Sequence, residues 1–211
     1  TYRVAYLLAK GVPASAILLA TFTNKAAREM LSRVEAITGS DVGKLWGGTF
    51  HAIGNRVLRH YAQVMQLSSS YSILDEEDQR DLLKVCVTEA KIKVEDKRFP
   101  APSILRDILS FAFNVQQPLD AVVERRYPHF ATWTSEIQAV ARRYEAKKRV
   151  AQVMDYDDLL RYWWLLLQEY PETAKRLSQQ FRYLLVDEYQ DTNTIQADIV
   201  ERLSQHNGRN L

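Results

Sequence analysis

Short apolar runs separated by amphipathic stretches of helical period set the pattern of this chain. Ala16-Ile17-Leu18-Leu19-Ala20-Thr21-Phe22 is almost unbroken in its hydrophobicity, which predicts a strand buried on both faces. Residues 2–10 upstream read as the end of a helix closed by Gly11, with Pro13 forbidding its continuation. Thr23 offers a cap to a helix from Asn24 to Ile37 that ends near Gly39. A short strand over Lys44–Thr49 leads into a helix from Phe50 to Gln66. The order helix, strand, helix, strand, helix predicts a parallel α/β sheet with crossover helices.

From Ser68 the strand pattern disappears until about residue 180. Asp75 can cap a helix running through Ala90, and Ser103, after Pro100 and Pro102, another through Phe113. Pro118 starts a short helix, and a long amphipathic one runs from Thr132 to Ala151 with Ile137, Val140, Ala141 and Tyr144 at helical spacing. Asp155-Tyr156-Asp157-Asp158 opens a further helix, its acids in the first turn where the helix dipole favours them. Pro171 starts the next. Strand character returns at Tyr183-Leu184-Leu185-Val186, and Gln196–Leu203 is a final helix ended by Asn207-Gly208. The expected organisation is an α/β domain in two parts, residues 1–67 and 151–211, interrupted by an all-helical insertion over 68–150.

Composition narrows the picture without changing it. With 211 residues, 46% hydrophobic and 26% charged, the chain can bury a core without staples. A net charge of +2 supplies no global basic field, so any nucleic acid must be met by a local face. The single Cys86 excludes an internal disulfide, and four scattered histidines give no zinc spacing. A reducing, cytoplasmic location is the expectation. Trp163-Trp164-Leu165-Leu166-Leu167 is too short for a membrane span, and the apolar stretch at the N-terminus is too short for a signal peptide. Thr1 opens inside an amphipathic helix with no initiator Met, so the chain reads as an excised, monomeric fragment.

The chemistry concentrates at strand ends. Tyr183 to Val186 runs directly into Asp187 and Glu188, which places two acids at the edge of a sheet, where α/β proteins bind ligands. Nucleotide hydrolases need there an Asp for Mg²⁺ and a second polar residue for the attacking water. Taken alone, the pair is more simply a strand running into an acidic turn. Thr21-Phe22-Thr23-Asn24-Lys25-Ala26-Ala27-Arg28 gathers hydroxyls, an amide, cations and an aromatic ring where a strand passes into a helix. That set suits a single-stranded backbone with a base stacked nearby; a well-capped turn explains it too. The acids of 155–158 could cap a helix or hold a metal, and capping needs no metal. Arg142, Arg143, Lys147, Lys148 and Arg149 form either a solvated helix face or a surface that guides duplex DNA.

Val186-Asp187-Glu188-Tyr189-Gln190-Asp191-Thr192-Asn193 resembles the Walker B motif of superfamily 1 DNA helicases of the UvrD/Rep/PcrA type. Thr21 to Met30 is similar to motif Ia of the same family, and Gly48-Thr49-Phe50-His51 to its motif Ib. Asp155-Tyr156-Asp157-Asp158-Leu159 resembles the segment that marks re-entry from the inserted domain. The resemblance implies a RecA-like P-loop NTPase domain with its helical insertion, from an ATP-dependent 3′-to-5′ helicase acting in DNA repair or replication. It implies ATP and Mg²⁺ as cofactors, with Asp187 on the metal, Glu188 activating water and Gln190 sensing the γ-phosphate or the water. Phe22, Thr23, Asn24, Lys25, Arg28, Thr49 and His51 become DNA contacts, and the expected partners are single-stranded DNA, its junctions with duplex, and repair or replication proteins. Gly-x-x-x-x-Gly-Lys-Ser/Thr is absent from the 211 residues, so this chain alone is expected not to hydrolyse ATP. A helicase subunit of a recombination helicase-nuclease, or a non-catalytic DNA-binding module, would share these features.

Overall fold

The computed structural model describes residues 1–39, 42–92 and 99–208. In chain order its elements are α1 (Tyr2–Ala9), β1 (Ile17–Thr21), α2 (Asn24–Thr38), β2 (Trp46–Thr49) and α3 (Phe50–Tyr61), followed by β3 (Ser72–Ile73), α4 (Glu76–Glu89), α5 (Pro102–Asn114), α6 (Leu119–Arg126), α7 (Thr134–Ala151) and β4 (Val153–Met154), then α8 (Tyr156–Glu169), α9 (Pro171–Gln180), β5 (Tyr183–Val186) and α10 (Thr194–Ser204). The fold is mixed α/β, mostly helical, with two short parallel sheets. Two compact units emerge: a sheet unit of 1–65 with 159–211, and a helical unit of 66–158.

In the sheet unit the strand order is β2-β1-β5, all parallel. β1 is central and every one of its residues is buried, as an apolar run covered on both faces requires. Ile17 and Leu19 pack with Val4, Leu7, Val34 and Leu45 in one cluster that joins α1 and α2 to the sheet. Of β5, only Leu184 is fully buried; Tyr183, Leu185 and Val186 keep partial exposure, so this strand is less enclosed than its sequence predicts. Thr23 caps α2 through its hydroxyl, which accepts from the Ala26 N–H at 3.1 Å, and Gly39 ends the helix in the left-handed region at φ 62°. At the far end, the buried Ser178 hydroxyl donates to the Leu203 carbonyl at 2.6 Å and accepts from the His206 N–H at 2.9 Å. Asn207 donates to the Phe181 carbonyl at 3.0 Å. These bonds tie the end of α10 to the α9–β5 turn.

Gly54 marks a close approach of α3 to α8 in this unit. A Cβ there would meet the Leu159 carbonyl oxygen and the Trp163 ring, each at 3.2 Å. Trp163 is fully buried and the carbonyl belongs to a helix, so neither can give way. Gly54→Ala therefore loses more by overpacking than it gains in helix propensity, with a net cost of about 1 kcal/mol in a urea melt.

The helical unit has its own core, built on Leu83, Cys86, Leu105, Ile108, Ile137, Val140 and Tyr144. Asp75 caps α4 in a reciprocal box with Asp78. Ser103 is not the cap of α5: Pro102 takes the first helical position with Ala101 before it, because a proline lacks the N–H that this position leaves unpaired. α7 begins two residues later than its pattern predicts, since Pro128–Trp133 form a 3₁₀ turn. The region expected to lack strands holds two: Ser72 and Ile73 pair in parallel with Val153 and Met154. Strands of two residues carry no readable alternation. Residues 151–158 accordingly cluster with the helical unit, and the chain's return falls inside α8 after Asp158 rather than at 151.

A buried polar cluster stands at that return. Lys148, 3% exposed, donates to Asp155 at 2.8 Å and to Asp158 at 2.7 Å, and pairs with Glu145 at 3.0 Å. The Tyr144 hydroxyl donates to Asp155 at 3.0 Å. Asp155 and Asp158 also accept each other's backbone N–H at 2.9 and 3.1 Å, a reciprocal cap at the start of α8. One ammonium thus serves two buried carboxylates. Burial lowers the Lys148 pKa, but Asp158, Asp155 and Glu145 outweigh it and raise the value overall. Burial, together with the charge of Asp155, pushes Asp158 up to about 7.

An acid whose folded pKa exceeds its unfolded value stabilises the fold most at low pH, and that contribution fades as pH rises from the unfolded value near 4 toward the folded value. The stability carried by Asp158 is therefore expected to fall between about pH 4 and pH 7. Asp158→Asn should flatten that part of the slope in urea melts taken across the window, whereas an unchanged slope would place the titration elsewhere.

Candidate functional site

The register of the three strands decides which residues share an edge. Thr21 lies opposite Thr49, and Ala20 opposite Val186, so the segments following β1, β2 and β5 leave the same carboxyl edge side by side. Asp187 extends the ladder one step, its N–H donating to the Ala20 carbonyl at 2.9 Å. Open α/β sheets bind ligands at this edge because backbone groups and helix N-termini converge there without being used up in the sheet.

After β1 the chain turns sharply into α2. The buried Thr21 hydroxyl donates to the Thr23 carbonyl at 3.1 Å and fixes the turn. The sequence offers Thr21 as one hydroxyl of the motif, and the structure turns it inward as a lock on the turn. Phe22 stays 38% exposed and tilts against Phe50, ring centroids 6.3 Å apart. Asn24 and Lys25 are exposed in the first turn of α2. Arg28 is exposed one turn on, its Nε donating to the Asn24 carbonyl at 3.3 Å.

β2 ends in the same manner. The Thr49 hydroxyl accepts from the Ala52 N–H at 3.2 Å and caps α3. His51 is half-buried in the first turn, and burial lowers its pKa, leaving the imidazole uncharged at neutral pH. Arg56, further along α3, lies over the Trp46 ring with its guanidinium carbon 3.8 Å from the centroid. Trp46 in turn packs edge-on against Phe181. Arg56 thus covers part of the sheet unit's own surface.

The acidic turn after β5 has the least ordinary backbone. Asp187 is half-buried and Glu188 exposed, with Glu188 in the left-handed region at φ 52°, ψ 48°. Such a conformation in a residue with a Cβ carries strain and concentrates at functional turns. The Gln190 side-chain amide donates to the Glu188 carboxylate. The Asp191 N–H bonds the Glu188 carbonyl at 2.9 Å, closing a 3₁₀ turn. Asn193 then caps α10 in a reciprocal box with Gln196. The tail of this motif is therefore partly a helix start, while Asp187, Glu188 and Gln190 present their polar groups at the edge.

All ten residues proposed from sequence lie at this edge or in the helical turns that leave it. The other polar sets do not join them. Asp155 and Asp158 are held by Lys148, and Asp157 accepts from the Asn114 amide at 3.1 Å, all within the helical unit. Among the described residues no cluster of His, Cys, Asp and Glu has the geometry of a metal centre. Of the basic run on α7, Lys148 is buried, Lys147 pairs with Glu89 at 2.8 Å, and Arg142, Arg143 and Arg149 are exposed. Trp163 is core. Trp164 is half-buried and donates its indole N–H to Asp198, which also accepts from Arg202 at 3.0 Å. No helix among the described residues is long and apolar enough to cross a membrane.

A parallel sheet that sends hydroxyls, an amide, a lysine and an acidic pair off its carboxyl edge has the architecture of an open α/β domain, the class whose ligands bind at that edge. The chain belongs to the family described as UvrD/REP helicase N-terminal domain, which it matches over residues 1–211. It is 35% identical over 211 residues to the ATP-dependent DNA helicase UvrD1 of Mycobacterium leprae (strain TN), covering 99% of this chain and 27% of that protein. It is 35% identical over 207 residues to the ATP-dependent DNA helicase PcrA of Leuconostoc citreum, covering 97% of this chain and 27% of that protein. With PcrA of Bacillus subtilis (strain 168) it shares 36% over 207 residues, at the same two coverages. The chain thus spans about a quarter of the length of these relatives.

Proposed function

We propose that this chain is part of an ATP-dependent DNA helicase that moves 3′ to 5′ along single-stranded DNA and opens duplex at its junctions, in repair or replication within the cytoplasm. The helical unit is read as the inserted domain and the sheet unit as the RecA-like domain that houses the motor. The observation that carries the reading is one sheet edge that gathers both residue sets: Asp187, Glu188 and Gln190 for nucleotide, and Phe22, Thr23, Asn24, Lys25, Arg28, Thr49 and His51 for DNA.

The donor chemistry fits a hard divalent cation, since Asp187 offers carboxylate oxygens at a strand end held rigidly by the ladder bond to Ala20. Asp187 would hold Mg²⁺, which would neutralise charge on the phosphates of bound ATP as phosphoryl transfer requires. Glu188 accepts the proton of the attacking water, and Gln190, already bonded to Glu188, orients it. On the DNA side, Lys25 and the first N–H groups of α2 meet phosphate, and Phe22 offers an exposed ring to a base. His51, uncharged, serves as a hydrogen-bonding group rather than a cation. The 211 residues contain no Gly-Lys-Ser/Thr phosphate loop, so the chain by itself lacks the cradle for the β and γ phosphates and acts as a monomeric piece of a larger engine.

The test is ATP hydrolysis by the complete protein with and without single-stranded DNA. Stimulation by DNA supports the motor reading. A complete protein that binds DNA yet shows no turnover would leave a binding module in its place.

A further inference from the structure

We propose that Thr21 is a positioning residue for single-stranded DNA, its buried hydroxyl closing the turn that aims the Phe22 ring at a base. The inference rests on the reading of Phe22 as a stacking residue. Thr21 ends β1 fully buried, and its hydroxyl donates to the Thr23 carbonyl at 3.1 Å. That bond spans a single residue, so what it fixes is the backbone of Phe22. The ring needs such a hold. It is 38% exposed and leans on Phe50 with 6.3 Å between centroids and 58° between planes, toward the loose end of aromatic pairing. A ring packed no more closely than that takes its direction from the backbone that carries it.

The fold itself has little use for the hydroxyl. Ile17, Leu18, Leu19 and Ala20 precede Thr21 in a strand buried throughout, where a valine would fill the same place without burying a polar group. Nor does the Thr23 carbonyl depend on Thr21 for a partner, because the Ala27 N–H donates there at 3.0 Å as the first bond of α2. Thr23 keeps its own cap on the Ala26 N–H in either case. The acidic side of the edge is held separately: the ladder bond of Asp187 runs to the Ala20 carbonyl. Removing the hydroxyl therefore loosens the turn at Phe22 and leaves its surroundings in place. A stacking surface fixed beforehand binds more tightly because less freedom is lost when the base arrives.

The test uses the complete protein, with binding of a labelled oligothymidylate read by fluorescence anisotropy and ATP turnover measured beside it at saturating DNA. Thr21→Val is expected to weaken DNA binding about fivefold, the worth of one neutral hydrogen bond. Turnover at saturating DNA should stay within about twofold of the parent, a split between affinity and rate. Thr21→Ser should restore the parent's affinity. A merely structural role would instead rank serine below valine, since serine loses a buried methyl and valine does not. Combined with Phe22→Ala, Thr21→Val should change affinity by less than about twofold, because the ring it positions is gone. Equal affinity for parent and Thr21→Val, a serine variant as weak as valine, or a valine effect undiminished without the Phe22 ring overturns the proposal. A parent that binds oligothymidylate without ATP turnover removes the motor reading and leaves this inference to the anisotropy, whereas a parent that binds no single-stranded DNA overturns both.

Discussion

In the complete protein, Glu188→Gln is expected to lower DNA-stimulated ATP turnover by about 10²–10⁴-fold while nucleotide still binds, the range a positioned general base contributes. The amide keeps the size and hydrogen-bonding reach of the carboxylate but cannot take a proton from water. The local geometry makes the substitution a clean one. Glu188 is exposed, so its replacement costs the fold little, and its left-handed backbone is fixed by the Asp191 N–H to the Glu188 carbonyl, which a glutamine keeps. Asp187→Asn should differ in kind, weakening Mg²⁺-dependent nucleotide binding along with turnover, because the half-buried Asp187 is the proposed ligand. Steady-state kinetics with a nucleotide-binding titration separate the two. Equal turnover by parent and Glu188→Gln would remove Glu188 from the chemistry.

The second large effect concerns the fold. Lys148→Met is expected to destabilise the chain by about 3–5 kcal/mol, because it leaves two carboxylates buried with no cation between them. Methionine matches the aliphatic stem of lysine, so packing against the Tyr144 ring survives and the cost is electrostatic. The penalty should shrink as pH falls, since a protonated carboxyl needs no counter-charge, and loss of Lys148 raises the Asp158 pKa further so that this protonation comes at higher pH than in the parent. Lys148→Met combined with Asp158→Asn should recover part of the loss, and a double-mutant cycle in urea measures that coupling. Strict additivity would show that the three groups do not share one charge balance.

The sequence made the strand ends legible and the buried polar cluster much less so. β1 and its crossing into α2 follow from an unbroken apolar run, a capping threonine and a closing glycine, signals that act over a few residues and need no tertiary context. Lys148 sat instead within a basic run and read as part of a solvated face. Yet it lies four residues beyond Tyr144, on the stripe of Ile137, Val140 and Tyr144 that faces the core, and a lysine on an apolar stripe implies a buried counter-charge. The acids that answer it had been accounted for as helix caps, which they also are. β3 and β4 left no trace because a two-residue strand has no period. The strained Glu188 turn was invisible for another reason: nothing in a glutamate's sequence context announces positive φ, which the surrounding bonds impose. The acidic motif itself was read from its tail, part of which serves to start α10.

The two-residue ladder between β3 and β4 also bears on the order in which the chain folds. It zips the entry of the helical unit, at Ser72 and Ile73, to its exit, at Val153 and Met154. Once that zip has closed, the residues flanking it behave as though joined by a short loop, although some eighty intervene. Chain-closure entropy grows with the logarithm of loop length, and the ladder roughly halves the connection from β1 to β5, so the saving for the sheet unit is about 0.6 kcal/mol. β5 must find β1 across the whole insertion, and does so most readily after the insertion has formed. An insertion that closes on its own ends thus lets the sheet unit be assembled as though its chain were much shorter.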